Sequence, residues 1–129
     1  MIEVFDPAGV HRPASAYSQG ALVTGPGRWL HVSGQIGVRV DGSVPEGVGE
    51  QMEQMWDNLF AVLAHAGMAA RDIVKITVFL VDQRDVKLWR QIRDQRMDGH
   101  ACAATLLIVR GLASPQLHCE IEAVAFQPV

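Results

Sequence analysis

The chain is poor in cysteine: Cys102 and Cys119 are the only two in 129 residues. Two thiols are too few for a disulfide-dense secreted scaffold or a four-cysteine zinc site, so a reducing cytoplasm is the expected compartment. Long apolar runs are also missing. The longest nearly apolar stretch, residues 101–109, falls far below the roughly 20 residues of a membrane-spanning helix. The opening Met1-Ile2-Glu3-Val4-Phe5-Asp6-Pro7 lacks the basic start and apolar core of a leader, and a soluble, non-exported protein is expected. Excess positive charge is absent as well. The 11 basic residues face 14 acidic ones, for a formal charge of -3, which argues against a general affinity for nucleic acid phosphates. Scarcity of charge in turn excludes wholesale disorder, because 49% of the residues are apolar and 19% charged, enough for one real core at one-domain length. No repeat, low-complexity tract or linker divides the sequence, so residues 1–129 read as a single domain.

The sharp catalytic motifs are missing too. There is no nucleophile elbow, Walker A loop, H-E-x-x-H helix or paired CxxC. His11, His31, His65, His100 and His118 show no ligand spacing, so no metal is expected. Gly25-Pro26-Gly27 lies between two apolar stretches and opens no helix; it reads as a turn, not a phosphate cradle.

What is present is periodicity. Apolar stretches at 20–23 and 29–32 flank residues 24–28 and predict a β-hairpin. Val48, Met52, Met55, Leu59, Val62 and Leu63 recur at helical spacing before Gly67, predicting a helix over 48–66. The β-branched run 73–81 is a strand. Asp82 offers an N-cap for a second helix through about residue 96, with Val86, Trp89 and Ile92 on its inner side. Residues 105–110 are apolar on both faces, and 117–123 alternate with period two. The order is β-β-α-β-α-β-β, an α+β domain with one mixed sheet and both helices on one face. Two helices cover one face only, so the other is expected to meet partner subunits.

Three groups of residues invite chemistry. Lys87, Arg90, Arg93 and Arg96 recur every third residue on the second helix and could receive an anion, although the interleaved Asp82, Asp85, Asp94 and Asp98 favour a solvated, salt-bridged face. The two cysteines sit in or beside apolar strands and read as small buried hydrophobes. The alternation in 117–123 places Glu120 and Glu122 on one face and Cys119 and Ile121 on the other, where a carboxylate could orient or activate a water as a general base. His31 and Glu120 are each on strands and could meet.

Taken together, Tyr17-Ser18-Gln19, Ser33-Gly34-Gln35, the helix pair Gln51 and Asn58, Gly67, the segment 72–80 with Asp82, and Glu120-Ile121-Glu122-Ala123 resemble the RidA (YjgF) family in order and spacing, over nearly the whole chain. The resemblance implies a chorismate-mutase-like α+β fold, a homotrimer, and a ligand cleft between subunits. It implies that the protein hydrolyses reactive enamines and imines to 2-oxo acids and ammonia without a cofactor. Tyr17, Ser33, Gly34 and Thr105 would line the cleft, and Glu120 would hold the attacking water. The family's substrate-gripping arginine, in a Pro-Ala-Arg-Ser/Thr motif, falls on Ala104 when Cys102-Ala103-Ala104-Thr105 is aligned with it. An alanine has no donor, and a charge-assisted contact of about 1.5–3 kcal/mol is missing there. By spacing from Asp82 and Asp85, Arg90 is the candidate substitute; Arg110 is out of reach. Ser15-Ala16, where the family has Gly-Pro, and Gly37, where it often has proline, are further departures. The alternative expectation is a non-catalytic trimer of the same fold that binds a metabolite or a protein partner. A ribonuclease or translation-inhibitor role is disfavoured by the net charge and by the lack of aromatic residues among the basic stripe.

Overall fold

In the computed structural model, which describes all of residues 1–129, the helical recurrence of apolar side chains builds α1 (Val48–His65) and buries Met52, Met55, Trp56, Leu59 and Leu63. Gly67 adopts φ +73° just beyond the helix, a left-handed conformation that lets the Met68 N–H donate to the Leu63 carbonyl at 2.9 Å and closes the last turn. The second helix starts later than the sequence predicts. Asp82 does cap, but it accepts from the Arg84 N–H and initiates a single 3-10 turn, Gln83–Asp85; α2 proper is Val86–Met97. Trp89 and Ile92 are buried as expected, while Val86 is half-buried. Trp89 stacks on Trp56 with ring centroids 5.4 Å apart and planes 11° from parallel, which joins the helices through their largest side chains.

Six strands complete the chain: β1 (Ile2–Phe5), β2 (Gly20–Val23), β3 (Gly27–Ile36), β4 (Ile73–Leu80), β5 (Ala103–Ile108) and β6 (Cys119–Pro128). Four of them form a mixed sheet in the order β3-β6-β4-β5, with β4 and β5 parallel and the other pairs antiparallel. The predicted hairpin between 20–23 and 29–32 does not form. Strand β2 pairs instead with the N-terminal β1, which sequence reasoning missed, in a separate two-stranded sheet, and β3 pairs with β6. Residues 24–26 carry the chain from one sheet to the other, and Gly27 and Arg28 already pair with β6.

Register separates the two faces of the larger sheet. Ile76, Val78 and Leu80 lie beside Ala123, Ile121 and Cys119, and these six join both helices in one buried cluster. Lys75, Thr77 and Phe79 lie beside Val124, Glu122 and Glu120 on the opposite, helix-free face. On β5 the same alternation sends Ala104 and Leu106 against the core and leaves Thr105 and Leu107 exposed. No helix is long and apolar enough to cross a membrane.

Candidate functional site

The residues singled out by sequence fall into two groups at opposite edges of the sheet. At the β5 edge the segment before β2 runs alongside the strand: the Ser18 N–H donates to the Cys102 carbonyl at 2.9 Å, and Ser18 bridges to Ala103 in parallel. Between this segment, β5 and α2 lies a cavity of about 280 Å³ whose walls include Tyr17, Arg90, Ala104 and Thr105. Four of the seven expected site residues thus share one space. Its volume is at the small end of ligand pockets, suited to a small metabolite. Thr105 Oγ1 accepts a hydrogen bond of 2.7 Å from Lys75 Nζ.

Sequence reasoning missed the strongest member of this group. Arg93, on the stripe expected to be solvated, is 6% exposed and lines the same cavity. The signal was available: Arg93 is four residues after the buried Trp89, hence on the same helix face. The stripe itself comes apart in space. Arg96 turns towards α1, donating to Glu53 Oε1 at 2.9 Å and Asp57 Oδ1 at 2.7 Å, and Lys87 and Arg90 are exposed. Of the interleaved aspartates, only Asp94 pairs with the stripe, through Arg93 at 2.9 Å, while Asp82 pairs with Arg84 at 2.6 Å. Those Arg84 hydrogen bonds hold the Asp82 carboxyl down at about 2.

The second group is on β3 and β6. A bulge between Val32 and Gln35 interrupts the ladder and places Ser33 and Gly34 on the surface. Such a bulge bends the strand and re-aims its neighbours. Glu120, opposite Ile36 on β6, brings its carboxylate against Gly34, and a side chain at position 34 would push that flexible carboxylate aside. Glu120 is half-buried and enters none of the chain's ion pairs. Glu122 is exposed beside Thr77. His31 does not meet Glu120, because it lies opposite Val124. The bulge is steadied from α1: Asn58 donates to the Ile36 and Val38 carbonyls at 2.8 and 3.0 Å. The fully buried Gln51 donates to the Pro45 and Gln116 carbonyls and accepts from the His118 N–H, each at 2.9 Å.

Neither Ser33, Gly34 nor Glu120 lines the cavity at the β5 edge. Ala104 faces the helix layer and Glu120 the opposite side of the sheet, so within one chain these two positions do not converge. Across 103–105 the residues are Ala, Ala and Thr, and no guanidinium is offered from the strand itself. Both cysteines are free and buried. Burial pushes the Cys102 thiol up to about 11, with the Arg93 charge opposing, and the Cys119 thiol up to about 12, so neither is poised as a nucleophile at neutral pH.

Two helices packed on one face of a mixed sheet are the α+β architecture of the RidA/YjgF fold. The chain belongs to the RidA (YjgF) family: residues 9–127 match the family described as Endoribonuclease L-PSP. It is 37% identical over 114 residues to the 2-iminobutanoate/2-iminopropanoate deaminase of Rattus norvegicus, covering 87% of this chain and 80% of that one. It is 32% identical over 111 residues to a RutC family protein of Aquifex aeolicus, covering 85% and 86%. Among solved structures, the Rid-family protein YyfB from Yersinia pestis superposes with a TM-score of 0.87 at 25% identity, over 96% of this chain and 97% of that chain.

Proposed function

We propose that the protein is a homotrimer that binds a small carboxylate-bearing metabolite in a cleft between subunits and hydrolyses reactive enamines or imines to 2-oxo acids and ammonia. The observation that carries this reading is Glu120, a half-buried carboxylate outside every ion pair, held against the bare backbone of Gly34. It is free to take a proton from a water. An imine carbon is already electrophilic, so one oriented water and one carboxylate suffice. Water adds to the C=N carbon of the protonated imine while Glu120 takes one of its protons; Glu120 returns that proton to the carbinolamine nitrogen, then takes the hydroxyl proton as the C=O bond forms and the C–N bond breaks, and a 2-oxo acid and ammonia leave. Ser33 and Gly34 line the water side, and Tyr17, Arg90, Ala104 and Thr105 the side that receives the rest of the ligand. A cyclic trimer supplies what one chain lacks, by setting the β5-edge cavity of one copy beside the β3-edge carboxylate of the next. The name and 37% identity of the rat relative support the same chemistry.

The test is a coupled assay in which a serine/threonine dehydratase generates 2-aminoacrylate or 2-iminobutanoate and the decay is followed with and without this protein. Acceleration that vanishes in Glu120→Ala is the expected result; equal decay with and without the wild type would defeat the reading. One observation favours a second reading, a trimer that binds the metabolite without turning it over: the strand position expected to carry the family's arginine is Ala104. Saturable binding with no product would select it. An RNA-directed activity finds less support, since of the four stripe cations Arg93 is buried and Arg96 is paired with α1.

A further inference from the structure

Arg93 is the one arginine whose side chain is withdrawn from solvent, at 7% side-chain exposure. Its neutralisation is incomplete. Nε and Nη2 both donate to a single oxygen, Asp94 Oδ1, at 3.1 and 2.9 Å, and Asp94 is itself 55% exposed. Nη1 has only Ser15 Oγ, at a long 3.4 Å. A guanidinium has five N–H donors in a planar fork that matches a carboxylate, and burying one with an unfilled edge is costly. That cost is offset when an anion completes the set. The cavity beside it has the matching character: Arg93 and Arg90 are the charged residues in its wall, no acidic side chain contributes, and Ala104 leaves room where a longer side chain would fill it.

We propose that Arg93, reaching from α2 into the cavity against β5, is the residue that grips the carboxylate of the ligand, in place of a guanidinium on the strand. This rests on the carboxylate-ligand reading above and names the group that carries it. The side chain approaches from the helix layer and takes the anion on Nη1, while Asp94 fixes the plane of the guanidinium from the opposite edge. Exposed Arg90 stands over the same space and draws anions towards it. A charge-assisted contact of this kind changes affinity by roughly 10- to 100-fold.

The experiment is calorimetric titration of 2-oxobutanoate and its uncharged amide, 2-oxobutanamide, into the wild type, Arg93→Gln, Arg93→Lys, Arg90→Ala and Lys87→Ala. The expected pattern is a loss of about 10- to 100-fold for the acid in Arg93→Gln, a partial recovery in Arg93→Lys, a smaller loss in Arg90→Ala, and no change in Lys87→Ala, which is exposed and outside the cavity. The wild type should hold the amide as weakly as Arg93→Gln holds the acid. Wild-type affinity in Arg93→Gln, or a larger loss in Arg90→Ala, overturns the assignment of Arg93 and leaves the carboxylate reading intact. A wild type that binds acid and amide equally overturns the charge contact even if Arg93→Gln fails to fold. No binding of either compound by the wild type defeats both proposals.

Discussion

The two edges of the four-stranded sheet are built on different principles. At the β5 edge a buried arginine, an alanine and a covering segment enclose space, and the chemistry is cationic. At the β3 edge a bulge and a glycine open the backbone, and the chemistry is a carboxylate near the surface. On the proposed reading one edge holds an anion and the other a water, and copies of the chain complete each site between them.

Removing the carboxylate should produce the largest effect. In Glu120→Gln, turnover is expected to fall by at least about 100-fold while the melting temperature barely moves, because Glu120 enters no ion pair; a large loss of stability would make Glu120 structural. Filling the other edge comes next. Ala104→Leu projects into the cavity on the helix side, so 2-oxobutanoate binding measured by calorimetry should fall by more than about tenfold with the fold retained. Unchanged affinity would mean that the ligand does not use this space.

A third substitution tests the frame behind the bulge. Gln51→Ala removes three hydrogen bonds made by a fully buried amide and should cost about 2–4 kcal/mol of stability by urea unfolding. A cost below about 0.5 kcal/mol would show that the loops at 45 and 116–118 do not depend on it. The smallest effect concerns the thiols. Their folded values of about 11 and about 12 lie above the unfolded value near 8.5. The protonated native thiols therefore contribute stability that is fully present below about pH 8.5 and is lost as pH rises towards the folded values. Urea midpoints should decline from pH 8 to pH 10 more steeply in the wild type than in Cys119→Ala. At pH 8 neither native thiol should react with a thiol reagent until the chain is unfolded.

Local patterns were legible in the sequence and long-range pairings were not. The α1 periodicity, the Gly67 stop, the β-branched β4 and the alternating β6 all encode one element each, and the structure places them within a few residues of expectation. The hairpin failed because two adjacent apolar stretches can pair with each other or with distant strands, and nothing between them says which. Strand β1 was missed because its four residues, Ile2–Phe5, gain a partner only when β2 comes alongside. Arg93 was misplaced for a geometric reason. Each step of three residues advances about 300° around a helix, so a period-three stripe drifts by about 60° per step and Lys87 and Arg96 end on opposite sides. The stripe was read as one face when it winds from solvent, past the cavity, to α1. The division of the site between two sheet edges was hidden as well, since Ala104 and Glu120 reveal opposite facings only through the register of β5, β4 and β6.

In the proposed trimer the cationic half and the carboxylate half of each site come from different copies of the chain. The most direct test is to co-express Arg93→Gln with Glu120→Gln, purify the mixed assemblies, and measure imine decay against each variant alone. With substrate held well below saturation, where the weakened affinity of Arg93→Gln shows fully, sites shared between neighbours leave both single-variant assemblies strongly impaired, but random mixing restores about a quarter of the sites, and activity should rise to that level. Sites contained within one chain cannot be restored by mixing, because every chain lacks one group, and activity that stays at the single-variant level would contradict the account.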